Sequence, residues 1–138
     1  IEEGSKRVRR WFRKGPVVAP SALALIEVMS TLVRKERAGE LEVAEMETSL
    51  DAAEDDFERF ASVPLSSGVT NNARFLSRRY RLRGADPHHL AAARWIANQP
   101  TFADDPIGVV PSDRELAEAA GQAGFAVFDP MREALPEP

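Results

Sequence analysis

Ala22-Leu23-Ala24-Leu25-Ile26-Glu27-Val28-Met29 is an apolar run broken by a single carboxylate. A short apolar segment, Val17-Val18-Ala19, precedes it between Pro16 and Pro20, and Ser21 stands where a helix would start. The pattern predicts a strand over 17–19 that feeds a central helix over Ser21–Arg37, ending near Gly39. In such a helix Leu23, Ile26, Ser30 and Thr31 lie one turn from Glu27, so apolar or small groups surround its stem. Two readings stand. Glu27 lies on the wet stripe of an ordinary amphipathic helix, or it sits where it stays charged only beside a partner or a cation.

Downstream, Met46, Leu50, Ala53, Phe57 and Phe60 recur at steps of three and four and predict a second long helix. A Gly-containing turn makes the two helices a hairpin, whose apolar faces could also serve dimerisation or partner binding. The acids from Glu40 to Glu58 spread around a solvated surface. A helix with Val69, Ala73, Leu76 and Tyr80 inside follows, carries Arg74, Arg78, Arg79, Arg81 and Arg83, and closes at Gly84. Asp86-Pro87 has the form of an N-cap with proline at the first helical position. Ser112-Asp113-Arg114-Glu115 has the spacing of a capping box before the last helix. Upstream, Lys6–Lys14 reads as a basic helix with Val8, Trp11 and Phe12 on one face.

Val63–Leu65, Ile107–Val110 and Phe125–Phe128 are further strand candidates. Strands alternating with helices predict an α/β fold, a three-layer α/β/α sandwich with a short parallel central sheet and a protruding helical hairpin. Residues 1–130 form one domain and 131–138, with their prolines, a frayed tail. Ligands bind such sheets beyond the carboxyl ends of the strands, so Glu27, Asp86 and Asp113 are expected on one rim.

The totals narrow the function. The chain has 138 residues, 18 basic and 22 acidic side chains, and a net charge of −4, which argues against a wholly basic nucleic-acid coat. No cysteine is present, which excludes disulfides and thiolate metal sites and agrees with a reducing cytoplasm. No run is long enough to cross a membrane. No Gly-rich phosphate loop is present.

Carboxylates brought together repel one another, and a hard divalent cation relieves the repulsion. Mg²⁺ or Mn²⁺ takes oxygen ligands and keeps water, a candidate nucleophile for phosphodiester hydrolysis. Each acid also has a plain alternative. In that alternative Asp86 serves only as a cap, Asp113 only the helix dipole, and Glu115 the capping box. His88 and His89 are adjacent, face different sides of a helix and cannot grip one metal together, and His89 reads as a packed or supporting residue.

Ser21-Ala22-Leu23-Ala24-Leu25-Ile26-Glu27-Val28, Gly84-Ala85-Asp86-Pro87-His88-His89-Leu90-Ala91 and Ser112-Asp113-Arg114-Glu115-Leu116 occur in this order. Together they resemble PIN-domain nucleases, VapC-type toxins of bacterial toxin–antitoxin pairs in particular. The resemblance runs from about Ile1 to Pro130. It implies the PIN-type parallel-sheet sandwich and metal-dependent endoribonuclease activity, with Glu27, Asp86 and Asp113 as the catalytic acids holding Mg²⁺ or Mn²⁺. It further implies an RNA substrate, a homodimer and a small antitoxin that blocks the site. The family opens with a strand carrying a first catalytic Asp, which nothing in the chain supplies, so a segment before Ile1 is expected. Pro111 stands where the family often has a hydroxyl residue. Arg7–Arg13 and Arg74–Arg83 would hold the RNA backbone. The alternative is an inactive PIN-like module that acts through a protein partner. A DNA-directed nuclease is a third reading, since the same chemistry cleaves both polymers.

Overall fold

The computed structural model describes residues 4–13, 17–111 and 113–131. The expected three-layer sandwich is not what forms. The described residues make six α-helices and two strands of two residues each. The helices are α1 (Ser5–Phe12), α2 (Ala22–Arg37), α3 (Val43–Arg59), α4 (Ser67–Tyr80), α5 (Asp86–Ala97) and α6 (Arg114–Gln122). Strands β1 (Gly108–Val109) and β2 (Ala126–Val127) pair in parallel, Gly108 opposite Ala126 and Val109 opposite Val127. Gly108 leaves room there for the Phe128 ring, whose Cδ2 would lie 2.9 Å from an added Cβ, so a side chain at 108 would force the ring aside.

Prolines explain why the sheet stays small. The 17–19 and 63–65 segments do run side by side. Ala61 N donates to Val18 O and Val63 N to Pro20 O, both at 2.9 Å, yet only the single bridge Ser21–Val63 registers. Pro20 and Pro64 flank that bridge without N–H donors, so the ladder cannot lengthen through them. Pro106 and Pro111 bracket β1 in the same way. Short β-prone runs thus supply apolar contact without a central sheet.

The core lies elsewhere than in the α2 run. Neither α2 nor α3 contains a buried residue, and Ile26 is 54% exposed. The two helices pack along each other as the expected hairpin, and the Met46, Leu50, Ala53, Phe57 and Phe60 stripe is its half-buried side. The fully buried large side chains are Leu76, Leu90, Val63 and Val69, where α4 packs along α5 and α6 closes over α5 with Leu116, Ala119 and Ala120. Helix α4 begins under a Ser66 cap, its Oγ accepting from Val69 N at 3.2 Å. It ends at Tyr80, short of Gly84, because Arg81 takes a left-handed conformation (φ 57°) that turns Leu82 into the core. Ser77 Oγ donates to Leu82 O at 3.0 Å and holds that turn.

The amino-terminal helix is tied down at both ends of its aromatic face. Phe12 stacks on Phe60 at 6.0 Å between ring centroids, and Phe60 meets Phe57 edge-on at 5.6 Å. Arg7 donates to Pro130 O and Met131 O at 2.8 and 2.7 Å. Arg7 therefore fastens the two ends of the chain together rather than standing free for a phosphate. The tail expected over 131–138 lies, but for Met131, outside the described residues. No helix among the described residues is long and apolar enough to cross a membrane.

Candidate functional site

Asp86 is one residue further into its helix than its sequence position implies. Ala85 occupies the N-cap position of α5, with Gly84 turning the chain at φ 55°, and Asp86 is the first helical residue. Its carboxylate is therefore not spent on the cap, and it has no hydrogen-bond partner among the described residues. Burial raises its pKa above the ordinary carboxylate value; Asp113 adds to the rise, His89 opposes it, and Glu27 and Glu115 add to it again. Asp86 thus lies within electrostatic reach of acids from α2 and from the start of α6.

Each neighbour has an engagement of its own. Asp113 is the N-cap of α6, its Oδ1 accepting from Leu116 N at 2.9 Å. The capping box expected from Ser112 cannot be followed, because Ser112 lies outside the described residues. Glu115 pairs with Arg83 instead, at 3.1 Å, both side chains being largely in water. Of the two readings of Glu27, the structure agrees with the wet stripe of an amphipathic helix: its side chain is 52% exposed. Its charge has a partner all the same, for Glu27 Oε2 lies 2.7 Å from His89 Nε2.

His89 is held from both sides. With Nε2 donating to the Glu27 carboxylate, Nδ1 faces the Ser21 hydroxyl at 3.0 Å and accepts from it in the neutral ring. Ser21 occupies the N-cap position of α2 but makes no cap hydrogen bond, since its hydroxyl is turned to His89. The chain Ser21–His89–Glu27 has the residue types of a hydrolase triad, but Ser21 is 3% exposed and closed to substrate. Its effect is to fix the Glu27 carboxylate through a ring that is itself fixed. The sequence carried half of this signal: His89 falls on the side of α5 opposite His88, which is buried in the core with neither ring nitrogen bonded.

The donor set suits a hard cation. Glu27, Asp86 and Asp113 offer oxygen donors from separate helices, and Asp113 and Glu27 both raise the pKa of Asp86. Among the described residues no group of three such side chains is arranged to hold a metal ion as it stands. Glu27 would keep or share its His89 bond, and Asp113 its cap, on binding one. Compared with known proteins, the chain matches no family model and no curated protein.

Proposed function

We propose that this face cleaves RNA phosphodiester bonds with a divalent cation held by Glu27, Asp86 and Asp113, the protein being the toxin of a toxin–antitoxin pair in the cytoplasm. The observation that carries the proposal is the Asp86 carboxyl group, uncapped and raised in pKa by burial and by Asp113, Glu27 and Glu115. Glu27, Asp86 and Asp113 would hold the cation, which when bound would supply an activated water and offset charge on the phosphate. Asp86 would be the donor with no other bond to break among the described residues. Asp113 would have one carboxylate oxygen left while Oδ1 caps α6. His89 orients Glu27, and Ser21 orients His89. A homodimer and an antitoxin seated over this face follow from the resemblance to VapC-type toxins.

The test is RNA cleavage by the full-length protein in Mn²⁺. Asp86→Asn and Asp113→Asn abolish cleavage while the fold persists: the Asp86 side chain makes no cap bond to lose, and at position 113 asparagine caps a helix about as well as aspartate. Asp86→Asn also raises thermal stability at neutral pH. A folded-state pKa above the unfolded value means stability is lost as the pH rises and Asp86 ionises, and asparagine removes that loss. Unchanged, EDTA-sensitive cleavage in both variants refutes the assignment.

A second reading, a non-catalytic module acting through a partner, is favoured by the existing bonds of Glu27, Asp113 and Glu115. A Mn²⁺ titration separates the two. The module shows no Mn²⁺ binding that depends on Glu27.

A further inference from the structure

The stretch from Ala61 to Ala85 contains five arginines and no acidic residue, in a chain whose acids outnumber its bases. Helix α4 turns Val69, Ala73 and Leu76 inward, which leaves Asn71, Arg74, Phe75, Arg78 and Arg79 together on its outer face. These five residues line a cleft of about 470 Å³. Phe75 is 59% exposed within it. None of Arg74, Arg78, Arg79 and Arg81 makes an ion pair among the described residues, whereas Arg83 is paired with Glu115.

An exposed aromatic ring costs solvation, and the guanidinium groups beside it have no carboxylate partner among the described residues. A ligand that relieves both carries a flat apolar face and closely spaced negative charge. From the positions of these side chains we infer that the outer face of α4 is a binding site for single-stranded RNA, with one base stacked on Phe75 and the flanking phosphates on Arg74 and Arg78. Stacking on an aromatic side chain with arginines along the backbone is how single strands are held without sequence readout. A partner helix fits worse. It would need several apolar anchors at successive turns, and Phe75 is the one apolar side chain among the five that line this cleft. The site deepens the proposed function by resting on RNA as its ligand, but it does not depend on cleavage. Arg83 and Glu115 place the end of α4 beside the carboxylate face, so a strand lying on α4 leads toward it.

The test is fluorescence anisotropy of a labelled single-stranded RNA oligonucleotide with the full chain in EDTA, which silences any cation-dependent chemistry. Phe75→Leu keeps an apolar side chain and removes the ring; it weakens binding about tenfold and leaves the salt dependence of log Kd unchanged. Phe75→Trp restores binding. Arg74→Gln and Arg78→Gln each reduce the slope of log Kd against log salt by about 0.7. All three positions are solvent-facing, so the melting temperature of each variant matches the parent. Phe75→Leu binding as tightly as the parent refutes the site. A change in oligomeric mass on Arg74→Gln, with RNA affinity unmoved, makes this a self-association surface and also refutes it. Loss of cleavage in Asp86→Asn with anisotropy intact keeps the two proposals apart.

Discussion

Leu90→Ala and Ile26→Ala together ask which helix holds the molecule up. Leu90 has no exposed surface and sits where α4, α5 and α6 meet, whereas Ile26 is 54% exposed on α2. Removing a fully buried leucine side chain loses its transfer energy and leaves a cavity, about 3–4 kcal/mol in all. Ile26 has more than half of its surface in water already, so truncation forfeits about 1 kcal/mol of burial. Alanine's better helix propensity returns about 0.4 kcal/mol of that. The gap is therefore about 3 kcal/mol, near a 1–2 M difference in urea midpoint for a chain of this size. Far-UV circular dichroism against urea reads both midpoints, with equal slopes confirming that one transition is being compared. If Ile26→Ala costs as much as Leu90→Ala, the apolar run of α2 is buried after all and this account of the core fails.

Two smaller perturbations probe single contacts. His88 is buried with both ring nitrogens unbonded, and burial, then His89, lowers its pKa. The unfolded chain takes a proton at His88 below about pH 6.5 that the folded chain refuses. Stability therefore falls as the pH drops through that range. His88→Leu flattens this part of the pH–stability curve and gains about 1 kcal/mol at neutral pH; an unchanged curve in calorimetry from pH 7 to 5 refutes it. Gly108→Ala forces the Phe128 ring aside and costs about 1–2 kcal/mol, a cost that shrinks when Phe128→Leu is already in place. A Gly108→Ala penalty independent of residue 128 would contradict that contact.

Helix positions were legible because their signals are local. The steps of three and four in α3, the inward Val69, Ala73 and Leu76 of α4 and the proline after Asp86 depend on neighbours within two turns. The sheet was misread because valine and isoleucine mark a chain willing to be extended, not one with N–H groups to pair. Pro20, Pro64, Pro106 and Pro111 remove those groups where each ladder would have grown. The core was misread for a related reason. A continuous apolar run shows that burial would be favourable, but exposure also depends on what is there to cover it, and α2 is packed mainly against α3. In the candidate site, spacing left each of Glu27, Asp86 and Asp113 with a plain alternative, and it was the resemblance that grouped them. The hydroxyl that steadies Glu27 through His89 could not be found locally, because Ser21 meets His89 across 68 residues of sequence and reads as a helix cap.

Charge is segregated on this molecule, and the segregation bears on both proposals. The carboxylates around Asp86 repel a phosphate chain, while the outer face of α4 attracts one, and Arg83–Glu115 marks where the two regions meet. A polyanion arriving at α4 therefore gains its contacts there first and meets an unfavourable field only as it extends toward α5 and α6. Neutralising that field is what a divalent cation does. Binding at α4 should then be indifferent to divalent cation, while engagement of the strand beyond Arg83 should require it. The same arrangement makes an acidic chain compatible with the proposed RNA partner: a net charge of −4 is a sum over surfaces, and at a screening length of about 8 Å a ligand responds to the surface it touches.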